Sequence, residues 1–189
     1  GREVDGHPAV YVTTLLAPGA TQPTGIAWMD TALLSARLYS GSVSPGGGPW
    51  KYTAPIAPAQ AQSLVAAFNG GFKMADAEGG YVTQGKTVYP LRTGAASLVI
   101  DQDGSVTIGT WNEEVSMTPA VSDVRQNLVL LVDNGQITQA AQTANWQAWG
   151  ATLHPGPSTW RSAVGITADG ALLYAAGPAL TPLELAELM

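Results

Sequence analysis

Apolar positions along this chain come in short runs broken by Gly, Pro, Asn and Asp, a spacing that predicts strands and tight turns in place of long amphipathic helices. Residues 9–16, Ala-Val-Tyr-Val-Thr-Thr-Leu-Leu, are rich in β-branched and aromatic types and predict a strand. Residues 31–39 fit either a strand or a short helix, and residues 41–50, with Gly46, Gly47 and Gly48 in a row, form a loop under both assignments. Pro58 stands where a first helical turn tolerates proline, and the alanines and glutamines after it favour helix. The apolar run 64–68 then ends that helix and finishes as a buried strand, halted by a sharp turn at Asn69-Gly70-Gly71. A strand, a Gly-containing turn and a second strand recur three times, with turns at 101–104, 133–135 and 168–170. At the far end, Thr181 as cap, Pro182 at the first helical position and Glu184 three residues after the cap predict a helix.

Together these elements predict an α+β fold: a largely antiparallel sheet with hairpins, a few packed helices and two pseudo-repeated helix-strand-turn halves. The chain has 189 residues, of which 46% are hydrophobic and 12% charged, enough for one core. Residues 1–56 read as N-terminal strands and a Gly-rich loop, and residues 57–189 as the main domain sharing that core. The net charge of -6, with eight scattered basic residues, excludes the basic footprint that a nucleic-acid partner requires. Without cysteine there are no disulfides, thiolate nucleophiles or cysteine-bound metals.

Few residues carry chemistry by their pattern alone. His7 and His154 lie in no nucleophile-elbow or zinc-ligand spacing, so a histidine triad has little support in the sequence, and no metal and no cofactor are expected. Asp101, Asp103, Asp133 and Asp169 sit in the Gly-containing turns, where a short acid has a structural reason to stand. The glycines at 46–48 are followed by Pro49-Trp50-Lys51, which does not continue a phosphate-binding loop. Asn69-Gly70-Gly71-Phe72-Lys73 differs from these, because one amide side chain enters a glycine turn whose backbone N–H groups can face an anion or a sugar. The same turn also fits an asparagine that bonds only its own backbone.

Asn69-Gly70-Gly71-Phe72, followed much later by Trp160-Arg161-Ser162-Ala163-Val164-Gly165, resembles the paired signature of the phosphodiester glycosidase family, with a bacterial subgroup closest. The resemblance runs from about residue 57 to 189 and takes in Val124-Arg125-Gln126-Asn127-Leu128. It implies a hydrolase that cleaves a sugar-1-phosphodiester between the anomeric carbon and the phosphate oxygen. It also implies an extracellular or cell-envelope setting and a phosphorylated glycan or cell-wall polymer as partner. In this scheme Arg161 holds the phosphate, Arg125 is the second candidate for that task, and Asn69 orients sugar hydroxyls. Gly70, Gly71, Lys73 and Asn127 complete the substrate contacts. The family's second acidic signature, an apolar strand ending in Leu-Asp-Gly-Gly, does not occur in the sequence, so a segment beyond Met189 or a second chain is expected to complete the sheet. Two further readings remain open: a glycan-binding domain without catalysis, using Trp50, Trp111, Trp146, Trp149 or Trp160 as sugar platforms, and an assembly subunit.

Overall fold

The computed structural model describes residues 2–143, 149 and 158–189. In chain order its elements are β1 (Glu3–Val4), β2 (His7–Pro8), β3 (Val10–Leu15), β4 (Thr24–Met29), α1 (Pro58–Ala61), β5 (Tyr81–Thr83), β6 (Lys86–Tyr89), β7 (Ala96–Asp101) and β8 (Val106–Thr110). There follow β9 (Val121–Gln126), β10 (Val132–Asp133), β11 (Gln136–Ile137), α2 (Gln139–Gln142), β12 (Thr159–Ile166), β13 (Leu172–Leu180) and α3 (Pro182–Leu188). Every pair within the two larger sheets is antiparallel, and the three described helices are short, so the fold is α+β as the sequence predicts. His154 and Trp146 lie outside the described residues.

The chain divides into two compact units, 1–34 with 129–189, and 35–128. In the first, four strands pair in the order β12-β13-β4-β3. Ile26, Ala175 and Ala163 lie side by side on one face of this sheet, and they pack with Leu185, Leu188 and Met189 of α3. The helix begins where expected: the Thr181 side chain accepts from Glu184 N at 3.1 Å, and the Glu184 carboxylate accepts from Thr181 N at 2.7 Å, a closed capping box.

In the second unit five strands pair in the order β6-β5-β9-β7-β8, which makes β9 the central strand. Val124 of β9 stands between Val82 of β5 and Val99 of β7, and these pack with Trp111 and Val121 into a buried core. Burying each such valine contributes roughly 1.5–3 kcal/mol, so a handful of them suffices to fix the register of β9. The β5–β6 hairpin turns at Gln84 and Gly85, both with positive φ (51° and 73°), the pairing that a two-residue hairpin with right-handed strand twist requires.

The hairpins at 101–104 and 168–170 form as predicted, and the one at 133–135 closes only the two-residue strands β10 and β11. Two other expectations are overturned. Residues 31–39 hold neither strand nor helix, but a turn at 31–33 and irregular backbone after it. Residues 64–68 form no strand: α1 ends after four residues, and the run continues as irregular, half-exposed chain into Asn69. A strand needs a neighbouring strand to take its backbone hydrogen bonds, and among the described residues no strand is laddered to this segment. The first predicted helix-strand-turn half is thus a helix and a turn without its strand.

Candidate functional site

The Asn69 turn is held by the end of β9. As a central strand, β9 buries five of its six residues even though three of them are Asp123, Arg125 and Gln126, and each polar side chain finds partners within the unit. The Asp123 carboxylate accepts from Thr83 Oγ1 (2.8 Å), Gln84 N (3.0 Å) and Ser122 Oγ (2.8 Å), which ties β9 to the β5–β6 hairpin. Gln126 is fully buried: Oε1 accepts from Gly80 N (2.8 Å) and Arg92 N (2.9 Å), and Nε2 donates to Arg92 O (3.1 Å) and Ser97 Oγ (3.0 Å). That carboxamide therefore uses both of its ends and leaves no buried amide unmatched.

Arg125 and Asn127 reach the turn directly. Asn127 Oδ1 accepts from Phe72 N at 3.0 Å, and Asn127 Nδ2 donates to Gly70 O at 3.1 Å. Arg125 Nη2 donates to Phe72 O, and Nη1 donates to Gln126 O at 2.7 Å. Gly71 has φ +111°, and a Cβ built there would land on the Asn127 carboxamide. Only glycine meets both demands, the backbone angle and the close approach. The turn is thus a fitted part rather than a flexible link, and Gly70, Gly71, Arg125 and Asn127 are brought together around it. Asn69 is exposed at its start, and Lys73 is exposed just past its end.

The Arg125 side chain is 6% exposed, and among the described residues no carboxylate pairs with it. Burial lowers the pKa of its guanidinium, and the Tyr81 phenol pulls it back up. Arg125 and Tyr81 are cross-strand neighbours, with the guanidinium 5.8 Å from the ring centroid. The Tyr81 hydroxyl, its own pKa raised by burial, shares a hydrogen bond of 3.2 Å with Ser40 Oγ. A buried cation is tolerated here because two carbonyls and an aromatic face replace the water it gives up. The geometry makes Arg125 a clamp on Phe72.

Arg161 belongs to the other unit, in β12, the edge strand of the four-stranded sheet. Its Nε donates to Leu180 O at 2.8 Å and its Nη1 to Trp149 O at 3.4 Å, and burial lowers its pKa. The pairing of β12 with β13 shifts between Thr159 and Arg161, a bulge of the kind that re-aims side chains at a strand end.

A family model described as phosphodiester glycosidase matches residues 62–189, which include the 69–72 turn, β9 and β12. This chain belongs to the phosphodiester glycosidase family. A search of curated proteins found no match. Hydrolysis of a glycosidic bond is accordingly the activity that the family name describes, and a phosphorylated glycan is the substrate class it implies.

Within this phosphodiester glycosidase chain the tryptophans sort by burial. Trp111 and Trp149 are core residues at 4% and 6% exposure, and Trp50 is tied down by its indole N–H, which donates to Gly46 O at 2.9 Å. Trp160 is 69% exposed beside Arg161. Sequence reasoning passed over Gln126, Tyr81 and Ser40 as supports of the site. Their partners lie between 29 and 46 positions away, so no local motif marks them. The Thr-Gln-Gly-Lys turn after Tyr81-Val82 was the available signal for β5, and with it for a partner strand beside Arg125. Among the described residues, no three His, Asp or Glu side chains gather as a metal centre would need.

Proposed function

We propose that this chain takes part in hydrolysis of a sugar-1-phosphodiester, with Asn69 orienting sugar hydroxyls and Arg161 holding the phosphate. Water adds to the anomeric carbon, the bond between that carbon and the phosphate oxygen breaks, and the phosphate leaves with the bonding electron pair while a water proton passes to solvent. Phosphate is a good leaving group, so a cation that takes up its developing charge contributes more than a strong general acid. A guanidinium suits this, since its planar fork matches two phosphate oxygens and stays charged at any working pH. Arg161 has its orientation set by the Leu180 and Trp149 carbonyls. Arg125 and Asn127 act on the substrate through the turn they position. The proposal extends to an extracellular or envelope setting, where such polymers are found.

The observation that carries this reading is the Asn69 turn itself, fixed at Gly70 O, Phe72 N and Phe72 O by the side chains of Arg125 in β9 and of Asn127 just after it. Binding sites that discriminate hydroxyl patterns need such preorganisation. The test is hydrolysis of a panel of sugar-1-phosphodiesters by the protein and by Arg161→Ala and Arg161→Lys. Arg161→Ala is expected to lose about 30-fold to 1,000-fold in turnover, as about 2–4 kcal/mol of transition-state contact disappears, and Arg161→Lys to recover little of it. Full activity in Arg161→Ala would remove the assigned role. The exposed Trp160 favours a second reading, glycan binding without hydrolysis, and a folded protein that binds the panel but cleaves none of it would establish that reading instead.

A further inference from the structure

Away from the turn and its clamp, the 35–128 unit gathers two cations on one aromatic ring. The Arg37 guanidinium lies 4.3 Å from the Tyr52 ring centroid, and Lys51 Nζ lies 5.2 Å from the same centroid. Tyr39 meets Tyr52 edge-on at 5.6 Å. The two segments that carry these residues are stitched together. Ser40 N donates to Tyr52 O (3.0 Å), Ala54 N donates to Ser40 O (2.7 Å), and Thr53 Oγ1 donates to Ser40 O (3.1 Å). Lys51 N donates to Gln84 Oε1 at 3.1 Å, which fixes the start of the second segment to the β5–β6 turn. The platform is therefore built on ordered backbone, while the Arg37 and Lys51 side chains remain exposed.

Its charge runs against the composition of the chain. Fourteen acidic residues accompany eight basic ones, yet among the described residues neither Arg37 nor Lys51 has a carboxylate partner. The face of an aromatic ring offsets only part of the cost of two like charges held near it. A phosphate group offering several oxygens would supply the opposite charge and accept from a guanidinium or an ammonium. The platform also connects to the Asn69 turn within one unit. Ser40, at its centre, bonds the Tyr81 hydroxyl, the Tyr81 ring supports Arg125, and Arg125 holds Phe72 O.

We propose that Arg37 and Lys51, mounted on Tyr52, form an accessory subsite for a phosphate group of a phosphate-bearing glycan, separate from the phosphate at the bond to be cleaved. This rests on the proposed phosphodiester substrate, and it adds that the substrate carries more than one phosphate. Sugar-to-sugar contacts are weak and tolerant, so a second charged anchor is a chemically economical way to prefer a polymer over a single unit.

Calorimetric titration tests this with three probes: an oligosaccharide carrying two phosphodiesters, the matching single-phosphodiester unit and a neutral oligosaccharide. The parent protein is expected to bind the two-phosphate probe best, with affinity falling as salt rises. Arg37→Gln and Lys51→Gln together are expected to weaken that probe about tenfold or more, with the neutral probe unaffected. Tyr52→Phe, which keeps the ring, is expected to bind like the parent, and Tyr52→Leu to bind like the double variant. Melting temperatures of the two exposed Gln variants check that they stay folded. Equal binding of the two-phosphate probe by parent and double variant would overturn the proposal, as would an equal loss for the neutral probe. The two readings fail differently. No hydrolysis of any probe, with the binding difference intact, counts against the glycosidase chemistry alone. Hydrolysis with no binding difference counts against the subsite alone.

Discussion

Two buried or half-buried arginines, one in each unit, show how position in a sheet decides what a charge can do. Arg125 sits on a central strand with neighbours on both sides, and its named donors go to carbonyls of its own unit, Phe72 and Gln126. Arg161 sits on an edge strand, next to a bulge and beside an exposed tryptophan. Carbonyls orient both groups, and burial lowers the pKa of both. Arg125 is almost fully buried with carbonyls taking its named donors, so this cation shapes the chain. A cation at an edge can be presented outward. The sequence alone ranks the two as second and first candidates for the same task, and the fold sets Arg125 on a central strand and Arg161 on an edge strand.

The sharpest way to break this comparison is to remove each arginine and measure stability and turnover together. Arg125→Ala strips Phe72 O and Gln126 O of a charged donor and leaves a cavity beside Tyr81, so a stability loss of about 2–4 kcal/mol is expected in denaturant unfolding. Arg161→Ala is expected to cost about 1 kcal/mol of stability through the Leu180 carbonyl, and far more in turnover. If Arg125→Ala melted like the parent while Arg161→Ala unfolded, the assignment of clamp and ligand group would be reversed.

A smaller effect sharpens the clamp itself. Gly71→Ala keeps every side-chain donor but places a methyl group against the Asn127 carboxamide at φ +111°. Strain of about 1–3 kcal/mol is expected, released by breaking the Asn127 bonds to Gly70 O and Phe72 N. Substrate affinity should then fall more than melting temperature does, because the turn loosens while the valine core beneath β9 stays whole. A variant with unchanged affinity would show that the turn's shape does not serve the site.

What the sequence disclosed follows the range of the interactions involved. The capping box at Thr181 and Glu184 spans three positions, and the 101–104 turn has Asp103 Oδ1 accepting from Ser105 N at 2.9 Å, so both were legible. The Asn-Gly-Gly-Phe and Trp-Arg-Ser signatures were legible as a family pattern, and they name residues without giving partners. Strand β9 was not legible, because Val-Ser-Asp-Val-Arg-Gln alternates no clean polar face. Its Asp, Arg and Gln are buried against groups brought in from Thr83, Phe72 and Gly80, which no local window contains. The 64–68 run erred the other way. Its apolar residues look like a strand, and among the described residues no partner strand is laddered to them to make one.

The smallest predicted effect tests whether a sequence-local feature is also functionally local. Thr181→Ala removes the oxygen that accepts from Glu184 N and opens the capping box, while Thr181 N keeps its bond to the Glu184 carboxylate. Caps of this kind contribute about 1 kcal/mol, so the melting temperature of the 189-residue chain should fall by only a few degrees. The helix is nonetheless the cover of the core around Leu180 and Leu185, and Leu180 O is the acceptor that orients Arg161 Nε. Thr181 follows Leu180 directly, so fraying at the cap would reach the arginine through one peptide unit. Turnover should therefore drop by more than the stability loss explains, because a loosened guanidinium takes up the charge of the leaving phosphate less well. Thr181→Ser, which restores the cap oxygen, should return both quantities to the parent values. Unchanged turnover in Thr181→Ala at a lowered melting temperature would instead show that Arg161 keeps its aim without the helix.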